Sequence, residues 1–80
     1  MNKLKEYRLK YHLTQQQLAN KLSVSRLVIT FIENGYYLPS LVVAHKMAKF
    51  FHTSIEKLFF EDKEDINHNN KKEVSKNDGQ

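Results

Sequence analysis

Only three residues, Ser23-Val24-Ser25, lie between Leu22 and Arg26, and on both sides of them the apolar residues keep helical spacing. Leu18, Ala19 and Leu22 form one stripe, Ile29 and Ile32 the next. Two short helices joined by so brief a turn must cross steeply, and everything else in the chain has to pack around that corner. The remaining apolar residues follow the same period: Leu4, Tyr7 and Tyr11 ahead of the corner, then Ala44, Met47, Ala48 and Phe51 behind it. No stretch alternates with period two for more than a few residues, and there is no internal repeat. Punctuation separates the helices. Thr14 followed by Gln17 has the form of a capping box. Ser25 and Ser54 can each cap a helix, and Pro39-Ser40 marks a further start. Gly35, after Glu33-Asn34, can take the left-handed conformation that ends one. The spacing therefore predicts an all-α chain with five helices, near 2–11, 15–22, 26–34, 41–51 and 55–60.

Composition limits what such a bundle can be. Eighty residues make one small domain, which buries only ~60% of its unfolded surface and gains from a partner. The absence of cysteine excludes disulfide frameworks, thiolate zinc sites and cysteine nucleophiles. Two glycines and one proline leave no Gly-rich phosphate cradle. No apolar run approaches the ~18 residues of a membrane span, and Met1–Thr14 is too charged for a secretory signal, so a cytoplasmic protein is expected. Charge divides the chain. Residues 1–60 carry nine Lys/Arg against three Asp/Glu, whereas 61–80 carry four against six. Residues 1–60 are thus the expected domain. Residues 61–80, with Ile66 and Val74 as their only aliphatics, read as a flexible polar tail that either solubilises the domain or contacts a partner.

A basic body built on a sharp helical corner has the geometry of a helix-turn-helix, whose second helix can lie in a DNA major groove. Leu13-Thr14-Gln15, Val24-Ser25-Arg26, Ile32-Glu33-Asn34-Gly35 and Pro39-Ser40-Leu41 occur in that order. In these segments the chain resembles the Xre family, the lambdoid-repressor-like helix-turn-helix regulators of bacteria and their phages, over about Leu4 to Phe59. The resemblance implies a compact five-helix, lambda-repressor-like DNA-binding domain. It further implies a transcriptional regulator, repressor-like and often a homodimer on a palindromic operator. Phage repressor, restriction-modification controller and antitoxin are all roles within that expectation.

Projected at 100° per residue from Ile29, helix 26–34 turns Ile32, Ser25 and Glu33 toward the core. Leu27, Thr30, Phe31 and Asn34 point outward, with Arg26 and Val28 on the flanks. Arg26, Leu27, Thr30 and Phe31 are the expected base-contacting residues. Arg26 can bond bidentately to guanine, contact a phosphate, or simply face solvent. Leu27 and Phe31 depart from the family, which usually carries polar residues there. They can pack on thymine methyls, serve an antitoxin-like or anti-repressor-like protein-interaction module, or be incidental exposed hydrophobes.

The resemblance makes Gln15, Ser25, Asn34 and Tyr37 the expected phosphate-contacting set, Gln15 because an amide at a helix start suits an anionic oxygen. Tyr36 or Tyr37 can equally pack against the fourth helix, and Lys10, Lys21 and Lys46 are weaker candidates. It also implies an ion pair between Arg8 and Glu33. Phe50, Phe59 and Phe60 cluster near the end of the body, where Ile55, Phe59 and Phe60 are the expected dimer interface or, alternatively, intramolecular core. His45 and His52 are seven apart, but no third ligand stands nearby, so neither metal nor cofactor is expected. No catalytic set converges, which argues against an enzyme.

Overall fold

Four of the five helices start on a hydroxyl. A computed structural model describes residues 2–61 and gives α1 (Leu4–Lys10), α2 (Gln15–Leu22), α3 (Arg26–Glu33), α4 (Leu41–Phe50) and α5 (Ile55–Phe59), with no strand among the described residues. The Thr14 hydroxyl accepts from Gln17 N at 3.0 Å while the Gln17 side chain accepts from Thr14 N at 2.8 Å, which closes the capping box at α2. Ser25, Ser40 and Ser54 cap α3, α4 and α5 in the same manner. Each satisfies an N–H that has no carbonyl partner in the first turn. Helix α1 lacks such a cap at Lys3, and Asn2 Oδ1 accepts from Leu4 N instead.

The helices end by a common device. After α1, α2, α3 and α4 the chain enters the left-handed region at His12, Ser23, Gly35 and His52, with φ of 59°, 59°, 77° and 56°. In each case the next residue donates its N–H back into the last turn: Leu13 to Arg8, Val24 to Ala19, Tyr36 to Phe31 and Thr53 to Ala48. These 6→1 bonds define four Schellman closures, only one of them on glycine. They also account for the observed ends of α1, α3 and α4, which come before the residues 11, 34 and 51 that the periodicity includes. Tyr11, Asn34 and Phe51 still donate to the carbonyls four residues back, but the backbone reverses at the following residue, so they close the helices as C-caps.

Between the short turns lies a single core of Leu4, Leu18, Ala19, Leu22, Ile29, Ile32, Met47, Ala48, Phe51 and Leu58. Every helix contributes to it, so none is stable alone. Tyr7 and Tyr11 bind the α1 end to Phe50 and Phe51 at the end of α4 through tilted and edge-on ring contacts with centroids 5.0–5.9 Å apart. The Tyr7 and Thr53 hydroxyls lie 3.0 Å apart in the same seam. The N-terminal end is clasped: Asn2 Nδ2 donates to Ile32 O at 2.8 Å and Lys3 N to Leu58 O at 2.8 Å. The expected tail falls outside the described residues, apart from Glu61.

Candidate nucleic-acid interface

Helix α3 is held at the corner by buried charge. Arg8 Nε donates to Glu33 Oε2 at 2.6 Å and Nη2 to Oε1 at 3.1 Å, a two-pronged pair joining α1 to the last turn of α3. Nη1 donates to Leu13 O at 2.8 Å, so one guanidinium also fixes the chain between α1 and α2. Both residues are only 7% exposed. A buried carboxylate needs such a partner, because desolvation penalises an isolated charge heavily.

Glu33 extends the arrangement toward the surface. Gln15 Nε2, on the first residue of α2, donates to Glu33 Oε1 at 3.0 Å. The Gln15 carbonyl oxygen accepts from the Thr30 hydroxyl at 2.9 Å, and Arg26 Nη1 lies 3.4 Å from both Gln15 Oε1 and Thr30 Oγ1. A polar chain thus runs Arg8–Glu33–Gln15–Thr30–Arg26 from the interior to the outer edge of α3. Its last two contacts are long for hydrogen bonds, which leaves the exposed Arg26 side chain loosely held. Gln15 keeps one amide N–H beyond its bond to Glu33, and that hydrogen is its remaining donor for an external anion.

The helical projection is corrected at three places. Ser25 is exposed rather than core-facing, because it sits ahead of the first helical turn with φ −78° and ψ 156°, where a 100° step does not apply. Val28 packs against the core, and Thr30 is half-buried rather than outward, because its hydroxyl is drawn under Gln15. Leu27, Phe31 and Asn34 are exposed. Leu27 is 55% and Phe31 38% accessible, one turn apart on the outer face. Phe31 meets Tyr36 and Tyr37 edge-on, with centroids at 5.7 and 6.1 Å, so the two tyrosines form a rim beside α3. Among the described residues neither tyrosine hydroxyl has a hydrogen-bond partner in the protein, and both residues are exposed. Lys10 lies over the Tyr7 ring at 5.3 Å, while Lys21 and Lys46 stand in solvent. His52 occupies the left-handed turn beyond α4, so it does not share a helical face with His45.

This corner matches a known one. The family model described as helix-turn-helix matches residues 4–58, which cover all five helices except Phe59. The chain belongs to the helix-turn-helix family. Three relatives carry a similar description, and each is matched over nearly its whole length. An uncharacterized HTH-type transcriptional regulator of Methanocaldococcus jannaschii is 56% identical over 64 residues, 79% of this chain and 97% of that protein. A second, from Archaeoglobus fulgidus, is 42% identical over 80% of this chain and 90% of its own length. A third, from Bacillus subtilis, is 36% identical over 79% and 96%. These likenesses place the chain among helix-turn-helix transcriptional regulators, in archaeal as well as bacterial company. No helix among the described residues is long and apolar enough to cross a membrane.

A second surface of the helix-turn-helix domain was only partly foreseen. An apolar groove of about 210 Å³ lies between α4 and α5, lined by Leu38, Pro39, Leu41, Ala44, Ile55, Phe59 and Phe60. Ile55 and Phe59 are half-buried in its wall, and Phe60 stands 59% exposed at its rim. Leu38, Leu41 and the neighbouring Val42 are also exposed, and sequence reasoning did not single them out. Their signal is weak, because an apolar run at a helix start reads the same whether its face is covered or bare.

Proposed function

We propose that this protein is a sequence-specific, repressor-like DNA-binding regulator of the cytoplasm that sets α3 in the major groove of an operator as a homodimer, without enzymatic activity. The observation that carries this reading is the outer face of α3, where Arg26, Leu27 and Phe31 are exposed to solvent beside a polar chain anchored in the core. A reading helix must be fixed in register to discriminate bases, and here the Arg8–Glu33 pair that fixes it is buried. Arg26 is the base-reading or phosphate-contacting cation, while Thr30 acts as its support. Gln15, Ser25, Asn34 and Tyr37 border α3 and supply the phosphate contacts, and the basic body adds long-range attraction.

The homodimer rests on the groove between α4 and α5. A two-fold contact pairs one patch with itself, so a patch carrying both a knob and a hole is self-complementary. Phe60 is the knob and the groove beside it the hole. Two copies joined there hold their α3 helices for half-sites about one DNA turn apart, ~34–36 Å.

The test is selection of duplexes from a random pool, followed by salt titration of the winner against scrambled DNA. A palindromic winner whose affinity falls about tenfold or more with Arg26→Ala supports the regulator. Binding that enriches no sequence and fades with salt counts against it. The exposure of Leu27 and Phe31 would then favour a second reading, a protein-interaction module docking an apolar groove of a partner on that same face. A pull-down comparing wild type with Phe31→Ala reads that alternative directly.

A further inference from the structure

We infer that Leu27 and Phe31 are specificity-determining residues that read the C5-methyl groups of two pyrimidines, thymines in ordinary DNA, so that the operator is chosen largely by methyl position. This deepens the DNA-binding reading and rests on it. The hydrogen-bonding inventory of α3 is the starting point. Of the four residues expected to meet base edges, Thr30 has its hydroxyl committed to Gln15 and to Arg26 O, at 2.9 and 3.1 Å. Arg26 is therefore the only one of the four with uncommitted hydrogen-bond donors. What remains on the outer face is apolar.

A major groove offers such a face one kind of partner. Each base pair presents donors and acceptors there, but only thymine presents a methyl group. Leu27 and Phe31 lie four residues apart, which is ~6 Å along a helix axis. That rise is close to two base-pair steps of ~3.4 Å, so the two side chains can meet methyls two steps apart. Phe31 is also held in place before binding, because Tyr36 and Tyr37 pack on it edge-on. A ring braced in this way gains contact area without first losing rotational freedom.

DNA is favoured over a protein groove as the occupant by the surroundings of the pair. Arg26 stands on the preceding position of the helix, the polar residues Ser25 and Asn34 lie at its two ends, and Gln15 is hydrogen-bonded to Thr30 and Glu33 beside it. Residues 1–60 carry nine basic against three acidic side chains, which suits a polyanion.

Replacing thymine by deoxyuridine in the selected operator tests the proposal, since it removes the methyl and keeps pairing, charge and minor-groove pattern. Full-length protein is titrated against both duplexes by fluorescence anisotropy. Each methyl contact is expected to be worth about fourfold in affinity, so two in each half-site amount to a loss on the order of a hundredfold or more. The double variant Leu27→Ala, Phe31→Ala, whose changes fall on exposed positions, should bind both duplexes alike. A converse duplex carries 5-methylcytosine at a sensitive position changed from T·A to C·G, and it should recover part of what unmethylated cytosine loses. If uracil and thymine operators bind equally while Arg26→Ala still weakens both, the methyl reading is wrong and the DNA reading stands. Should selection yield no operator at all, the DNA reading fails and this inference with it.

Discussion

Glu33 is a carboxylate that does three things with two oxygens. It takes both prongs of Arg8 and one amide hydrogen of Gln15, and it does so out of water. Removing it leaves a guanidinium buried without its counter-charge, a loss of about 3–5 kcal/mol. For a domain of this size that corresponds to a fall in Tm of roughly 12 °C or more. Thermal melts of Glu33→Ala followed by circular dichroism check this, and a Tm within a degree of wild type would show the pair to be dispensable. Glu33→Gln, which keeps the shape, should lose less. The pairing of Arg8 with Glu33 was legible in the sequence only through the resemblance that the Glu-Asn-Gly segment carries. The part played by Gln15 was not legible at all. Read alone, it is an amide at a helix start, suited to a phosphate. Its inward bonds exist because α3 crosses α2 at an angle that brings Glu33 and Thr30 beneath it, and no local pattern encodes that angle.

At the level of the element, starts and stops were unequally readable. Hydroxyls mark the beginnings of α2 to α5, because an N-cap works through a side chain that the sequence displays. The stops work through backbone conformation, and only Gly35 advertises it. His12, Ser23 and His52 adopt the same left-handed state with a β-carbon in place, at a cost of about 1–2 kcal/mol each. Relief of that crowding gives a prediction. His52→Gly, on an exposed residue whose backbone is already fixed, should stabilise the domain by about 1 kcal/mol, or roughly 4–8 °C in Tm. His52→Ala, which retains the β-carbon, should give no such gain. Equal melting of the glycine and alanine variants would mean that the side chain, not the backbone, accounts for histidine there. The outer face of α3 was readable where the helical step applies, at Leu27 and Phe31. It failed at Ser25, which precedes the helix, and at Thr30, whose hydroxyl was claimed by another element.

At the scale of the whole domain, two exposed apolar surfaces stand out among the described residues, one on α3 and one between α4 and α5. A chain of this size exposing Leu38, Leu41, Val42 and Phe60 around one groove invites association, and the two-fold contact proposed above would cover them. Phe60→Asp should abolish it by setting a carboxylate in the groove. Sedimentation equilibrium at tens of micromolar is expected to give a dimer for wild type and a monomer for the variant. Because Phe60 lies outside the core, the variant's melting at low concentration should match that of wild type. A monomeric wild type would remove the dimer from the reading. Periodicity and caps made the five-helix architecture legible, since each helix needs its own apolar stripe. The groove was legible only at its α5 wall, through the run of phenylalanines. Leu41 and Val42 sit in a helix start that packs equally well on paper, and a sequence holds no sign of a neighbour that never arrives.

The clasp at the N-terminal end carries a consequence for how the domain is made. Asn2 waits for Ile32, and Lys3 for Leu58, which is among the last buried residues to leave the ribosome. Synthesis at ~5–20 residues per second puts seconds between the first residue of the clasp and its second partner. Through that interval the corner formed by α2 and α3 can assemble on the emerging chain, while α1 remains tethered at one end only. Completion comes from α5, and a nascent chain stopped short of it has Asn2 tied to Ile32 but lacks the carbonyl that receives Lys3.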